Sequence, residues 1–253
     1  MLAAAGLVTG LVAGQGALDR LPLVGLAVLA VTVAPLTRLL PAGTLRGKRG
    51  LPAAVLTRGL VAGAFFGGEA FLPLLLVSGL GISPSAAGWA LAAGAIGWSA
   101  GSWSSSRSSR HRGCAAMGGL LVAAGLAAAA CAGRSVAGYT VAITGWGIAG
   151  LGIGLALTSV NLIAVDLGAA EGIGGTAARL QLSEAFFSIL FISLTGTMMM
   201  ALHHLSMAAA PIRVGIALLC IPALLAGVTA LRADIARTDR NTEPPPDGSG
   251  AVE

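Results

Sequence analysis

A carboxylate and a proline share the apolar segment 54–79, where a charged group is costly. Glu69 lies four residues before Pro73, which has no N–H to donate to the carbonyl of Glu69, so we expect a helix bend there. A rise of about 1.5 Å per residue from Arg58 places Glu69 about 16 Å along the helix, near the middle of a bilayer. A carboxylate at that depth faces a cavity, finds a partner or is protonated. We predict that Glu69 binds a proton or a cation. A structural hydrogen bond to a neighbouring helix is the alternative.

A second polar pattern lies in segment 178–201. Gln181, Glu184, Ser188 and Thr195 recur at intervals that place them on one side of a helix. A polar stripe on a membrane helix faces protein or water rather than lipid. Gln181, Glu184 and Ser188 are therefore candidates for the wall of a substrate cavity. Hydrogen bonding between helices is an equally good interpretation.

Small residues form stripes in two other segments. In segment 54–79 the stripe comprises Gly59, Gly63 and Gly67. One face of segment 137–166 carries Gly147, Gly150, Gly154, Thr158 and Asn161. Small residues allow two helices to approach closely, so packing is the favoured interpretation of both stripes. Thr158 and Asn161, at the end of the second stripe, are further candidates for the cavity wall.

The sequence offers no arrangement for catalysis or metal binding. His203 and His204 are adjacent, so their side chains diverge on a helix, and no third ligand stands nearby. The glycines near residue 173 do not lie between a strand and a helix, as a phosphate-binding loop requires. No Ser/His/Asp or Cys/His set is within plausible reach of one site. We therefore expect no enzyme activity, no cofactor and no metal site.

The composition excludes several classes of protein. Of the 253 residues, 56% are apolar and only 10% are Asp, Glu, Lys or Arg, against about 25% in soluble domains. A soluble enzyme of this size needs more charge on its surface. The 15 basic residues form no patch with interleaved aromatics, which argues against a nucleic-acid partner. The composition indicates an all-α, polytopic membrane protein.

Eight apolar segments approach the length of about 20 residues that a membrane helix needs. Their approximate bounds are 1–15, 21–39, 54–79, 84–104, 114–133, 137–166, 178–201 and 212–231. The polar tail 233–253, which is rich in proline and glycine, is expected to be disordered.

The basic residues predict the orientation in the membrane. One set of alternate loops holds 12 of the 15: Arg38, Arg46, Lys48, Arg49, Arg58, Arg107, Arg110, Arg112, Arg179, Arg232, Arg237 and Arg240. Because basic loops stay in the cytoplasm, this side is predicted to be cytoplasmic, as are both termini. Arg107, Arg110 and Arg112 form the basic turn that follows the fourth segment.

Several stretches resemble the C-terminal half of major facilitator superfamily (MFS) transporters of the bacterial drug-efflux type. Ala64–Gly101 and the basic turn resemble the first two helices of that half. Gly145–Asp166 and Ala178–Ser188 resemble its fourth and fifth helices. In the family's basic signature, G-x-x-x-D-R-x-G-R-R, Gly101 and Arg110 match, but Ser105 stands at the Asp position.

The resemblance implies about eight transmembrane helices in three parts. Residues 1–49 would hold two helices and a basic loop, which end the N-terminal half or form an extra central pair. Residues 50–232 would form the C-terminal six-helix bundle, and 233–253 the cytoplasmic tail. An MFS transporter has two six-helix halves, so the chain is interpreted as a fragment, a wrongly started gene model, or a half that pairs with another chain.

The resemblance also implies a function. We expect a plasma-membrane transporter that expels a small molecule or drug, coupled to protons by alternating access. Glu69 would be the proton site, and a missing N-terminal half or a second copy would complete the protein. The alternative is a membrane protein without transport activity, either a scaffold that binds partners or an inactive remnant.

Overall fold

The computed structural model describes residues 40–133, 135–168, 172–203 and 210–233. Within these ranges the secondary structure is helical, with no β-strand. The predicted segments 1–15 and 21–39, and nearly all of the tail, lie outside the described residues. The other six predicted segments are each found as helix, so the all-α prediction is confirmed for this part of the chain, whereas the count of eight stays a prediction.

In the described part of the chain, seven α-helices follow a short 3-10 turn at Thr44–Arg46. They are α1 (Leu51–Leu74), α2 (Pro84–Ser106), α3 (His111–Cys131), α4 (Val136–Leu167), α5 (Ile173–His203), α6 (Ala210–Leu218) and α7 (Cys220–Ala230). A π-helical turn, Leu75–Gly79, extends α1. Five stretches in the described part are long and apolar enough to cross a membrane: Leu51–Gly79, His111–Cys131, Val136–Leu167, Ile173–Met199 and Pro211–Ala230. They indicate a membrane-embedded protein.

Local sequence explains where the helices begin and break. Ser83 and Ser135 cap α2 and α4, since their hydroxyl groups accept hydrogen bonds from the backbone N–H groups three residues later. Pro222 has no N–H to donate to the carbonyl of Leu218. The last apolar segment is interrupted directly after Leu218, at Leu219, which lies between α6 and α7. The chain therefore crosses the bundle here as two short helices.

The helices pack against one another as a bundle. α4 packs most extensively against α2 and α3, while α1 packs against α5, α7 and α4. The end of the bundle where α1, α3 and α5 begin and α7 ends carries Arg46, Arg49, Arg110, Arg112 and Arg232, and we call it the basic end. At this end the backbone N–H of Gly50 donates to the carbonyl of Arg232 over 3.2 Å, which joins α1 to α7.

Aromatic rings fill the middle of the bundle. Trp146 of α4 is fully buried, and the ring of Phe65 of α1 stacks on it with 4.9 Å between centroids. Trp98 of α2 meets Phe65 edge-on at 5.6 Å. In contrast, Trp89, Ile96 and Trp103 are 63–71% exposed along α2. Their spacing of seven residues puts them on one face, which suits contact with lipid.

Candidate functional site

An arginine is buried inside the first helix. Arg58 lies about two turns from the start of α1, and only 6% of the residue is exposed. The distribution of basic residues predicts Arg58 in a loop, and this prediction is wrong, because α1 begins at Leu51, well before Arg58. Pro52 in the first turn and the apolar residues after it were the signal that could have placed Arg58 within a helix.

The guanidinium group of Arg58 joins three helices. Its Nη2 lies 2.6 Å from Oε2 of Glu184 on α5, which makes an ion pair. Its Nη1 donates a hydrogen bond to Oδ1 of Asn161 on α4. We call these three residues the arginine cluster. Sequence reasoning identified Glu184 and Asn161 as cavity candidates but missed Arg58, which holds them together.

The arginine cluster is open on one side. The side chain of Glu184 is 21% exposed, against 7% for that of Arg58, and Asn161 is exposed. The Nε of Arg58 is buried without a hydrogen-bond partner among the described residues. A buried arginine needs an anion close by, and Glu184 supplies it here. The exposed residue Asn161 marks the side on which the cluster reaches the surface of the described bundle.

The other residues predicted to line the cavity, Thr158, Ser188 and Gln181, differ in their burial. Thr158 and Ser188 are partly buried, and Ser188 Oγ has no hydrogen-bond partner in the described part of the chain. Ser188 follows Glu184 by one helical turn, as the spacing predicts. Gln181 is exposed. Thr195 is 4% exposed and packs near Gly215.

Glu69 has a different environment from Glu184. It is partly exposed on α1 and makes no hydrogen bond or ion pair with any residue that the structure describes. Pro73 follows within the same α-helix, and the π-helical turn Leu75–Gly79 comes directly after it. The departure from α-helical geometry therefore begins at Leu75, beyond Pro73 and more than one turn after Glu69. Since α1 starts at Leu51, Glu69 lies nearer to the far end of this span than to the basic end.

The glycine stripes are packing surfaces. A side chain at Gly59 or Gly63 would collide with Phe187 of α5. A side chain at Gly150 or Gly154 would collide with backbone of α2, at Gly94 and Trp98 respectively. These glycines bring the helices close enough for backbone contact.

The basic turn connects α2 and α3. The guanidinium of Arg107 lies over the exposed ring of Trp103, 3.9 Å from its centroid. Arg110 precedes the first residue of α3, and Arg112 is the second residue of that helix. Arg110 and Arg112 both line a cavity at the basic end.

Among the described residues, no group of His, Cys, Asp or Glu is arranged to hold a metal ion. His204 lies outside those residues. No protein-family model and no curated protein sequence matches this chain. The arrangement of charges inside the helices therefore carries the functional argument.

Proposed function

We propose that this chain is the C-terminal part of an MFS-type secondary transporter that expels a small molecule in exchange for protons. The observation that carries the proposal is the arginine cluster, in which Arg58, Asn161 and Glu184 meet between three apolar helices. Charged groups between such helices are expensive to bury, and they are typical of ion and substrate pathways.

Glu69 is the proposed proton site. Its carboxylate lies in an apolar span, it is partly exposed, and no described residue holds it by an ion pair or hydrogen bond. A proton can therefore bind and leave without breaking a contact within the described bundle. The π-helical turn beyond Pro73 supports this role, because such turns are frequent at functional sites.

The arginine cluster is the proposed polar wall of the substrate cavity. Glu184 is partly exposed and Asn161 is exposed, and Ser188 and Thr158 add hydroxyl groups one turn away on the same two helices. Gln181, which is exposed one turn before Glu184, would lie at the edge of that wall.

The proposal includes a second bundle, because alternating access moves two bundles against each other. It would be supplied by another part of a longer chain or by a second copy. The concentration of arginine at the basic end favours a plasma-membrane protein with this end and both termini in the cytoplasm. The partners are then lipid, protons and the transported molecule.

The test is dye transport by the full chain in proteoliposomes with an imposed pH gradient. Ethidium serves as the probe, and a pH-sensitive dye trapped inside reports proton movement. We expect saturable ethidium transport coupled to proton flux. Glu69→Gln should abolish the coupled flux at unchanged membrane insertion, because the amide cannot take up a proton.

Glu69→Asp is the matched control, since it keeps a carboxylate at the same position and should retain part of the coupled flux. Equal transport by the wild type and Glu69→Gln would remove Glu69 as the proton site. A wild-type chain that moves neither ethidium nor protons would contradict transport by two copies of this chain; it would leave a second bundle from a longer chain, or the non-transporting alternative.

A further inference from the structure

A group of aromatic rings lies between α1 and α2, close to Glu69 in the sequence. The centroids of Phe65 and Phe66 are 5.7 Å apart, and that of Trp98 lies 5.6 Å from the first and 5.9 Å from the second. The stack of Phe65 on the buried ring of Trp146 supports the group from the core. Phe66 and Trp98 are themselves partly exposed. These two rings therefore form an aromatic surface at the edge of the core.

The helical geometry of α1 directs Glu69 toward this surface. Residues 65–69 all lie within the α-helix. At about 100° per residue, Glu69 lies about 40° from Phe65 and about 60° from Phe66 around the helix axis, in the sector between them. It is about 4.5 Å further along the axis than Phe66. The carboxylate is thus on the same side of α1 as the rings, about one turn farther from the basic end.

The ring of Trp98 lies away from the lipid-facing side of α2. At about 100° per residue, Trp98 is on the opposite side of this helix from Trp89, Ile96 and Trp103, the exposed residues suited to lipid contact. A carboxylate also avoids hydrocarbon. Glu69 forms no ion pair or hydrogen bond with any described residue. Its negative charge is therefore left for a ligand to neutralise.

We propose that Glu69, Phe66 and Trp98 bind an organic cation whose charge is surrounded by apolar groups, such as a quaternary phosphonium or ammonium ion. The carboxylate would neutralise the charge, and each ring would attract a cation within about 6 Å of its centroid. Divalent metal ions fit less well, because they take about six oxygen ligands, and no described group of His, Cys, Asp or Glu could hold a metal ion.

This inference deepens the proposed function, since it names the class of substrate. It rests on the assignment of Glu69 as a binding site in that function. The carboxylate and the rings supply complementary parts of one site: charge from α1, and aromatic surface from both α1 and α2. Substrate binding would therefore depend on how α1 and α2 are placed relative to each other.

The experiment is equilibrium dialysis of the purified full chain, in neutral detergent micelles, against radiolabelled tetraphenylphosphonium. Micelles without protein give the background. We expect saturable binding by the wild type. Glu69→Gln should bind about tenfold more weakly, because the amide keeps the size of the side chain but not its charge. Triphenylphosphine oxide, an uncharged ligand with the same phenyl rings, is the control and should bind equally weakly to both proteins.

Substitutions at α2 test the aromatic surface. Trp98→Leu should weaken tetraphenylphosphonium binding about fivefold, whereas Trp98→Phe keeps a ring and should stay within about twofold of the wild type. Trp89→Leu is the matched control, because it removes an exposed ring from the other side of the same helix, and it should leave binding unchanged. Since Trp98 also packs against Phe65, Phe66→Leu provides a second test at a partly exposed ring and should weaken binding about threefold.

Binding and transport can fail separately in these experiments. Absence of saturable binding by the wild type, or equal affinities of the wild type and Glu69→Gln, would overturn the cation site, while proton flux in proteoliposomes would still decide the proposed function. Equal affinities of Trp98→Leu and Trp89→Leu would overturn the role of the rings. Saturable binding that is lost in Glu69→Gln, by a chain that moves neither ethidium nor protons, would support the cation site and contradict only transport by this chain.

Discussion

The two halves of α1 meet their neighbours in different ways. Near the basic end the contacts are polar: Ser183 Oγ donates to the carbonyl of Val55 over 2.8 Å, and the hydroxyl groups of Thr57 and Thr229 lie 2.8 Å apart. Arg58 adds its ion pair with Glu184. Within one turn of α1, three polar contacts thus join it to α5 and α7.

The other half of α1 is packed by shape alone. Phe65 stacks on Trp146, and a side chain at Gly68 would collide with Leu126. Glu69 is the charged residue of this half, and no described residue bonds to it. The difference separates two roles for a carboxylate in one bundle. Glu184 has a fixed cation and holds helices together, whereas Glu69 can change its charge without breaking a contact in the described bundle.

The largest effect on stability is expected from Glu184→Gln. This change leaves the buried guanidinium of Arg58 without its carboxylate, which should lower the free energy of unfolding by about 3 kcal/mol. The measurement is unfolding of the purified chain by SDS titration in mixed micelles. Gln181→Ala, an exposed position on the same helix, is the control and should change stability by less than about 0.5 kcal/mol.

A double variant sharpens this prediction. Arg58→Met with Glu184→Leu removes both charges and fills their space with apolar atoms, so much of the stability lost in Glu184→Gln should return. If the double variant is instead less stable than Glu184→Gln, the ion pair itself stabilises the bundle. If Glu184→Gln has no effect, the polar half of α1 does not depend on the arginine cluster.

A smaller loss is expected where helices meet through glycine. A methyl group at Gly97 of α2 would overlap the carbonyl oxygen of Gly147 on α4, so Gly97→Ala should destabilise the bundle by about 1–3 kcal/mol. Gly88→Ala is the matched control on the same helix, because nothing lies within 4 Å of its new methyl group. It should be neutral or stabilise by about 0.5–1 kcal/mol, since alanine favours helix. The same free energy of unfolding is measured, and equal values for the two variants would contradict the close contact of α2 with α4.

The sequence predicts the helices of this bundle better than the contacts between them. Apolar runs and Pro73 are local signals: the runs predict the helices, and Pro73 predicts a bend, although the structure places the irregular turn beyond it, at Leu75–Gly79. The ion pair of Arg58 joins residues 126 positions apart, and no local pattern shows which helices pack together. The sequence predicts a loop position for Arg58, because a charge next to an apolar run resembles the boundary of that run. Glu69 was identified because its charge lies within such a run.

The smallest effect on stability is expected from Glu69→Gln. No described residue forms an ion pair or hydrogen bond with Glu69, so the change should alter the free energy of unfolding by less than about 0.5 kcal/mol. The same substitution at Glu184, another glutamate between apolar helices, provides the internal comparison in the same SDS titration. A loss at Glu69 as large as that at Glu184 would mean that Glu69 is also held by a cation, and the distinction between the two carboxylates would fail. Unchanged stability of Glu69→Gln together with lost proton flux would separate the two roles. A carboxylate with only a structural role would affect transport by destabilising the bundle, so lost flux without lost stability would indicate a role in transport itself.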